Sequence, residues 1–270
     1  LQILAKVATL ITMIGFFIKK AFFDGWDNLI SLVVLNLGFL LVIAALFGAL
    51  ELLAISTLGG IVVIVVVIAL YSFYLGAVSY QTKEYAWYTR PGFAHFWGAF
   101  RSLWRHSLLY TGLSLVIFAL TVFVIPFYFS YNNFFGLVVS VFLFWLALLL
   151  VLALFYFYPL AVQMPQDKPL KSLRKSFILL VDNLGFTLFL ALYKLFNLIV
   201  SILFATLIPG VGGLQLSGQI ALKLLLFKYD YLEENPEANR KKIPWEALLF
   251  DEREKVGPRS FKGMIFPWKE

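Results

Sequence analysis

The run "LISLVVLNLGFLLVIAALFGAL" (Leu29–Leu50) carries no charged residue. A helix needs roughly 18–20 consecutive apolar residues to cross a bilayer, and this run exceeds that length. A second run, "GGIVVIVVVIALYSFYLGAV" (Gly59–Val78), follows at once. Only the short stretch "STLGG" (Ser56–Gly60) marks the turn, so the two helices must be antiparallel neighbours. Continuing along the chain in the same way gives six spanning helices in three hairpins. They cover 28–54 and 60–80, then 107–129 and 134–161, then 183–207 and 212–228. The expected fold is an all-α polytopic membrane protein.

Composition agrees. Of the 270 residues, 61% are hydrophobic, 18% are aromatic and 14% are charged, with a mean hydropathy of +0.88. A soluble domain carries about 25% charged residues. The absence of cysteine excludes disulfides and thiolate chemistry.

A phrase recurs ahead of the hairpins: "KAFFDGWDNL" from Lys20, "GAFRSLWRHSL" from Gly98 and "KSFILLVDNL" from Lys175. Phe22, Phe100 and Phe177 align at spacings of 78 and 77 residues, as do Asp27, Arg105 and Asp182. The pattern implies an internal repeat of about 77 residues. Each copy is expected to mark an interfacial amphipathic helix turning into a span. These pre-hairpin helices fall near 1–20, 91–104 and 168–181. A helix beginning at the membrane surface has unpaired N–H groups, so Asp27, Asn28, Ser107, Asp182 and Asn183 are expected to cap the helix starts. That structural role is preferred to one in which the three starts converge on a vestibule with Arg105 as a selective charge. The 1–26 segment reads as an interfacial or re-entrant helix in preference to a seventh span. Residues 27–229 form the six-helix domain, and 230–270 form a polar tail that cannot build a core of its own. The tail can dock through "IPWEALLF" (Ile243–Phe250) and "GMIFPW" (Gly263–Trp268).

Lysine and arginine near the helix ends gather in the linkers 81–106 and 163–176 and none lies in the hairpin turns. The positive-inside rule therefore places both linkers and the C-terminus in the cytoplasm. The expected location is a bacterial cytoplasmic (inner) membrane, with the chain passing through it several times.

The run from "FFDGWDNLISLVVLNLGFLL" through "STLGGIVVIVVVIALYSFYLGAVSY" to "GFAHFWGAFRSLWRHSLLYTGL" resembles the YesL-like bacterial membrane proteins. The features matched are Asn36 in the first span, the turn Thr57–Gly59 and the linker aromatics Phe93, Phe96 and Phe100. The resemblance covers residues 20–205 and implies an accessory role beside sugar-uptake systems, with no defined activity. Mitochondrial carriers also have three hairpin repeats, but their Pro-x-[Asp/Glu]-x-x-[Lys/Arg] signature is missing here.

Ionisable and amide residues inside apolar spans are the remaining chemical signal, because charge in lipid is costly. Lys194, Lys223, Asn36, Asn197, Gln215, Gln219 and Glu51 form the candidate intramembrane polar site; they read either as a polar cavity or, by preference, as structural, with the lysines snorkelling towards the cytoplasm or one Lys–Glu pair holding helices together. His95 and His106 lie too far apart for one metal ion and read as interfacial. No phosphate loop, metal motif or nucleophile motif occurs, so no catalytic residue, cofactor or metal is expected. Expected partners are membrane lipids and protein subunits bound through the linkers and tail, not nucleic acid. Two functions fit this pattern. The first is a non-catalytic integral membrane accessory or scaffold subunit. The second is a small-solute transporter or channel using the Lys194 and Lys223 region.

Overall fold

The computed structural model describes residues 2–240 and 242–260, and among them it is helical without strands. In chain order the helices are α1 (Gln2–Asp27), α2 (Leu29–Ile55), α3 (Thr57–Ala86) and α4 (Phe93–Ala119). A π-helical turn, Leu120–Val124, joins α4 to α5 (Ile125–Phe129). Then come α6 (Phe134–Gln163), α7 (Pro169–Asp182), α8 (Leu184–Leu203) and α9 (Gly210–Glu234). Two short helices, α10 (Trp245–Leu248) and α11 (Phe250–Val256), end the described chain. Among the described residues six segments are long and apolar enough to cross a membrane: α2, α3, α4 through α5, α6, α8 and α9. The protein is an all-α, multi-pass membrane protein.

The first hairpin turn is tighter than the sequence implies, and the third, residues 204–209, is longer. A single residue, Ser56, separates α2 from α3, because Thr57 to Gly60 form the first helical turn rather than a loop. Ser56 Oγ accepts the Gly59 N–H, and Asn133 Oδ1 accepts the Gly136 N–H at the start of α6. These side chains cap the turn ends of the hairpins. Gly60, Gly136 and Gly213 recur at spacings of 76 and 77 in the first turn of the returning helices. At Gly60 an added Cβ would overlap the Leu53 backbone, and at Gly136 it would overlap the Tyr128 carbonyl. The repeat is therefore written where two chain segments approach closely as well as in the phrase before each hairpin.

The phrase itself acts differently from the expected cap. Asn28 donates its side-chain amide to the Asp24 carbonyl at 2.8 Å, and Asn183 donates to the Leu179 carbonyl at 3.1 Å. Both reach back four residues and close the C-terminal end of the preceding helix, α1 or α7. Asn183 makes no side-chain bond to the start of α8. Asp27 receives a bidentate Arg259, and Asp182 is exposed as the last residue of α7. In the second copy His106 stands where the other copies have asparagine. There α4 runs without interruption through residues 93–119, so Ser107 is an internal helix residue and not a cap.

The chain divides into two compact units, residues 1–29 with 220–270 and residues 30–219. The sequence-based division at 26/27 and 229/230 differs, because the N-terminal helix and the tail share one unit. In that unit α1 buries Met13, Phe16, Phe17, Lys20, Ala21 and Asp24, a stripe of helical spacing. The tail contributes Ile243, Trp245, Leu249 and Val256 to the same core, so "IPWEALLF" docks as expected. "GMIFPW" lies outside the described residues.

In the other unit side-chain hydrogen bonds stitch the helices together. Tyr158 of α6 donates to the Ser72 carbonyl of α3 at 2.5 Å and to Ser107 Oγ of α4 at 3.4 Å. The hydroxyls of Tyr156 (α6) and Thr187 (α8) lie 2.8 Å apart. Leu152 and Ala153 of α6 pack on Leu180 of α7.

Candidate functional site

The intramembrane polar residues separate into two groups, each with its own partners. In the 30–219 unit Asn36, fully buried on α2, reaches the segment joining α8 to α9. Its Nδ2 donates to the Leu207 and Pro209 carbonyls, both at 2.8 Å, and its Oδ1 accepts the Gly212 N–H at 2.8 Å. Ala205 and Thr206, just before, both have positive φ (49° and 63°), a left-handed conformation costly for residues with a Cβ. Gly210 at φ 59° lies so close to Asn36 that a Cβ would overlap the amide. Asn36 thus pins a strained turn onto α2. A buried amide that satisfies three backbone groups in a bilayer is a structural device.

Gln219 of α9 donates to the Ser79 carbonyl at 3.0 Å and to Ser79 Oγ at 2.9 Å, bracing α9 on α3. Asn197 donates to the Tyr193 carbonyl within its own helix. Lys194 is the eleventh of the 20 residues of α8. Its ammonium donates to the Leu214 carbonyl at 2.7 Å and lies 4.9 Å from the Phe155 ring centre. A carbonyl and an aromatic face are its partners at mid-helix, with no carboxylate beside it among the described residues. Glu51 is exposed on α2, and Gln215 follows Leu214 in α9. His95 stacks on Tyr80 at 4.3 Å, while His106 Nε2 lies 3.2 Å from Ser172 Oγ of α7.

Lys223 belongs to the other unit and has a carboxylate partner. Its ammonium lies 2.9 Å from Glu252 of α11. Lys20 lies 2.8 Å from Asp24, one turn away on α1, and 3.4 Å from the same Glu252 oxygen that Lys223 contacts. Lys20, Asp24, Lys223 and Glu252 are all buried, and Lys255 reaches Glu252 from the surface at 3.4 Å. In place of one cavity shared by Lys194 and Lys223 there are two lysines with separate partners, and Lys223 makes a Lys–Glu pair. Lys223 is neither snorkelling nor solvating a pathway; it is ion-paired to the tail.

The sequence reading missed Glu252, Lys20 and Asp24. A signal was present. Trp245, Leu249, Glu252 and Val256 recur at steps of 4, 3 and 4, so Glu252 interrupts an apolar helical stripe. Lys20 and Asp24 interrupt the stripe of α1 in the same way. A charge on the buried face of an amphipathic helix predicts an opposite charge facing it.

Burial pushes the Asp24 carboxyl up to about 6, against the opposing pull of Lys20. In the linker before α7, hydrogen bonds from Lys171 and Lys175 hold Asp167 below the usual carboxylate range. Among the described residues no group of three or more His, Asp or Glu is placed to hold a metal. No family model, curated protein or solved structure matches this chain.

Proposed function

We propose that this protein is a non-catalytic accessory or scaffold subunit of a bacterial cytoplasmic membrane, with its linkers and tail on the cytoplasmic side. The observation that carries the reading is how the intramembrane polar groups are used. Asn36, Gln219 and Lys194 are bound to backbone groups of their own chain, and Lys223 is bound to Glu252. Polar groups that bridge helices lock a fixed arrangement. Groups serving a solute pathway need to exchange partners instead. Exposed aromatics on the linker half of α4, Phe93, Trp97 and Trp104, accompany Arg101 and Arg105 and give that face the composition of an interface between protein, lipid headgroups and water.

Cross-linking in intact membranes followed by purification in mild detergent tests the reading. The expected result is a membrane-protein partner in fixed ratio, lost when Trp97 and Trp104 are both changed to Ser. Recovery of the chain alone, with or without those changes, overturns it. A small-solute transporter is the second reading, favoured by Lys194, whose ammonium has no acidic partner among the described residues. Solute flux into proteoliposomes that Lys194→Met abolishes would establish the second reading over the first. The chain has no native cysteine, so single-cysteine labelling reports the orientation. Ser130→Cys is expected to react from outside intact cells, and Lys168→Cys only after permeabilisation.

A further inference from the structure

In the unit that contains α1 and α11, these two helices line an open recess of about 750 Å³. Ligand sites commonly occupy roughly 300–1,000 Å³. Each helix brings an aromatic and a charged group to it: buried Phe16 with Lys19 from α1, and Phe250, 67% exposed, with Arg253 and Glu254 from α11. Lys19, Arg253 and Glu254 leave the lining with a formal charge of one positive unit. Lys19 uses one of its ammonium protons on the Gly257 carbonyl at 2.9 Å. The exposed Arg253 guanidinium makes no hydrogen bond or ion pair among the described residues.

We propose that this recess binds an anionic glycerophospholipid with a hydroxylated headgroup, of the phosphatidylglycerol type. The phosphodiester sits between Lys19 and Arg253, a headgroup hydroxyl donates to Glu254, and acyl chain runs along Phe16 and Phe250. Charge decides the class. A phosphodiester carries one negative charge and neutralises the lining, whereas Glu254 repels the second charge of a free phosphate or phosphate monoester. The guanidinium fork matches two phosphate oxygens, and Lys19 retains donors for a third contact. The setting also favours lipid over a soluble anion. The chain crosses a membrane, α1 ends one residue before the first span, and Trp26 beside that junction is exposed, as an interfacial anchor requires.

The site is independent of the accessory role: a failed lipid test leaves that role standing. Native mass spectrometry of the full chain, with phosphatidylglycerol, phosphatidylethanolamine or phosphatidylcholine added in turn, tests it. The wild-type chain is expected to keep one phosphatidylglycerol under conditions that strip the other two lipids. Arg253→Gln is expected to lower that retention about tenfold, the effect of losing one charge-assisted contact. Arg253 has no side-chain partner among the described residues, so an unchanged melting temperature is expected and confirms that the variant is folded. Lys19→Gln supplies a second reading from the other side of the recess. Arg240→Gln removes the same charge from an exposed tail position and is expected to leave retention unchanged. Phe250→Ser is expected to weaken retention of long-chain lipid more than that of a short-chain analogue. Equal retention of all three lipids overturns the proposal. So do equal losses in Arg253→Gln and Arg240→Gln, or displacement of the lipid by millimolar inorganic phosphate, which would mark a site for free anions.

Discussion

Asn36 and Gly212 are 176 positions apart and share a hydrogen bond of 2.8 Å, the side-chain oxygen accepting from the backbone N–H. The same amide donates to Leu207 and Pro209, so one side chain of the first span holds the turn of the last hairpin. Asn36→Leu is expected to strand three backbone groups and destabilise by about 2 kcal/mol. Asn36→Asp keeps the acceptor but sets a carboxylate against two carbonyl oxygens, and is expected to be at least as harmful. Thermal unfolding in detergent checks both. An aspartate variant as stable as the parent would mean that the two donated bonds do not hold the turn.

Gly60 and Gly48 lie on the two helices of the first hairpin and have opposite surroundings. A Cβ at Gly60 meets the Leu53 backbone, which cannot move aside; at Gly48 it meets nothing within 4 Å. Gly60→Ala is expected to cost about 2 kcal/mol through overpacking. Gly48→Ala is expected to be neutral or to stabilise by up to about 1 kcal/mol, because alanine is the better helix former. The melting temperature should fall in Gly60→Ala and hold or rise in Gly48→Ala.

The Lys223–Glu252 pair is buried, so removing one partner leaves a charge without its counterpart. Lys223→Met and Glu252→Leu are each expected to destabilise by about 3 kcal/mol. The double variant leaves Lys20 with Asp24 and is expected to lose clearly less than the sum of the two single changes. A mild protease that cuts between α9 and α10 provides a second readout, with faster cutting in the single variants. Strict additivity would show that the pair is not coupled.

Two aspartates give stability opposite pH dependences. The Asp24 carboxyl is raised to about 6 from 3.8, so between those values the folded chain holds a proton that the unfolded chain has released. Stability from this group is greatest below pH 3.8, falls as pH rises to about 6, and is level above. Asp167 is held low, so its contribution is present above the ordinary carboxylate value of 3.8 and is lost as pH falls through the lower folded value. Melting curves across roughly pH 2–7 should show the first slope vanish in Asp24→Asn and the second in Asp167→Asn. A slope that survives its own substitution has another origin.

The spanning helices were legible because lipid demands long apolar runs, and Leu29–Leu50 carries that demand in its composition alone. The break points between interfacial and spanning segments were only half legible. Asn28 and Asn183 mark real breaks, but their side chains bond backwards to Asp24 and Leu179, a direction that composition does not reveal. His106 stands in the same register, and there α4 runs unbroken, so the repeated phrase does not by itself mark where a helix stops. Lys194 stood out in the sequence, yet its partner, a carbonyl 20 residues away, depends on how α8 meets α9. Glu252 was hidden because its tail looked too polar to form a core; the core it joins is supplied by α1 and the last half of α9.

The unit built from both chain ends imposes an order on biosynthesis. Ribosomes deliver Lys20 and Asp24 before the 30–219 unit, and Lys223 and Glu252 emerge only after it. Throughout that interval Asp24, one turn away on the same helix, is the member of the ion cluster that can meet Lys20. Asp24 therefore acts as a provisional counter-ion for the nascent chain until Glu252 emerges and closes the cluster.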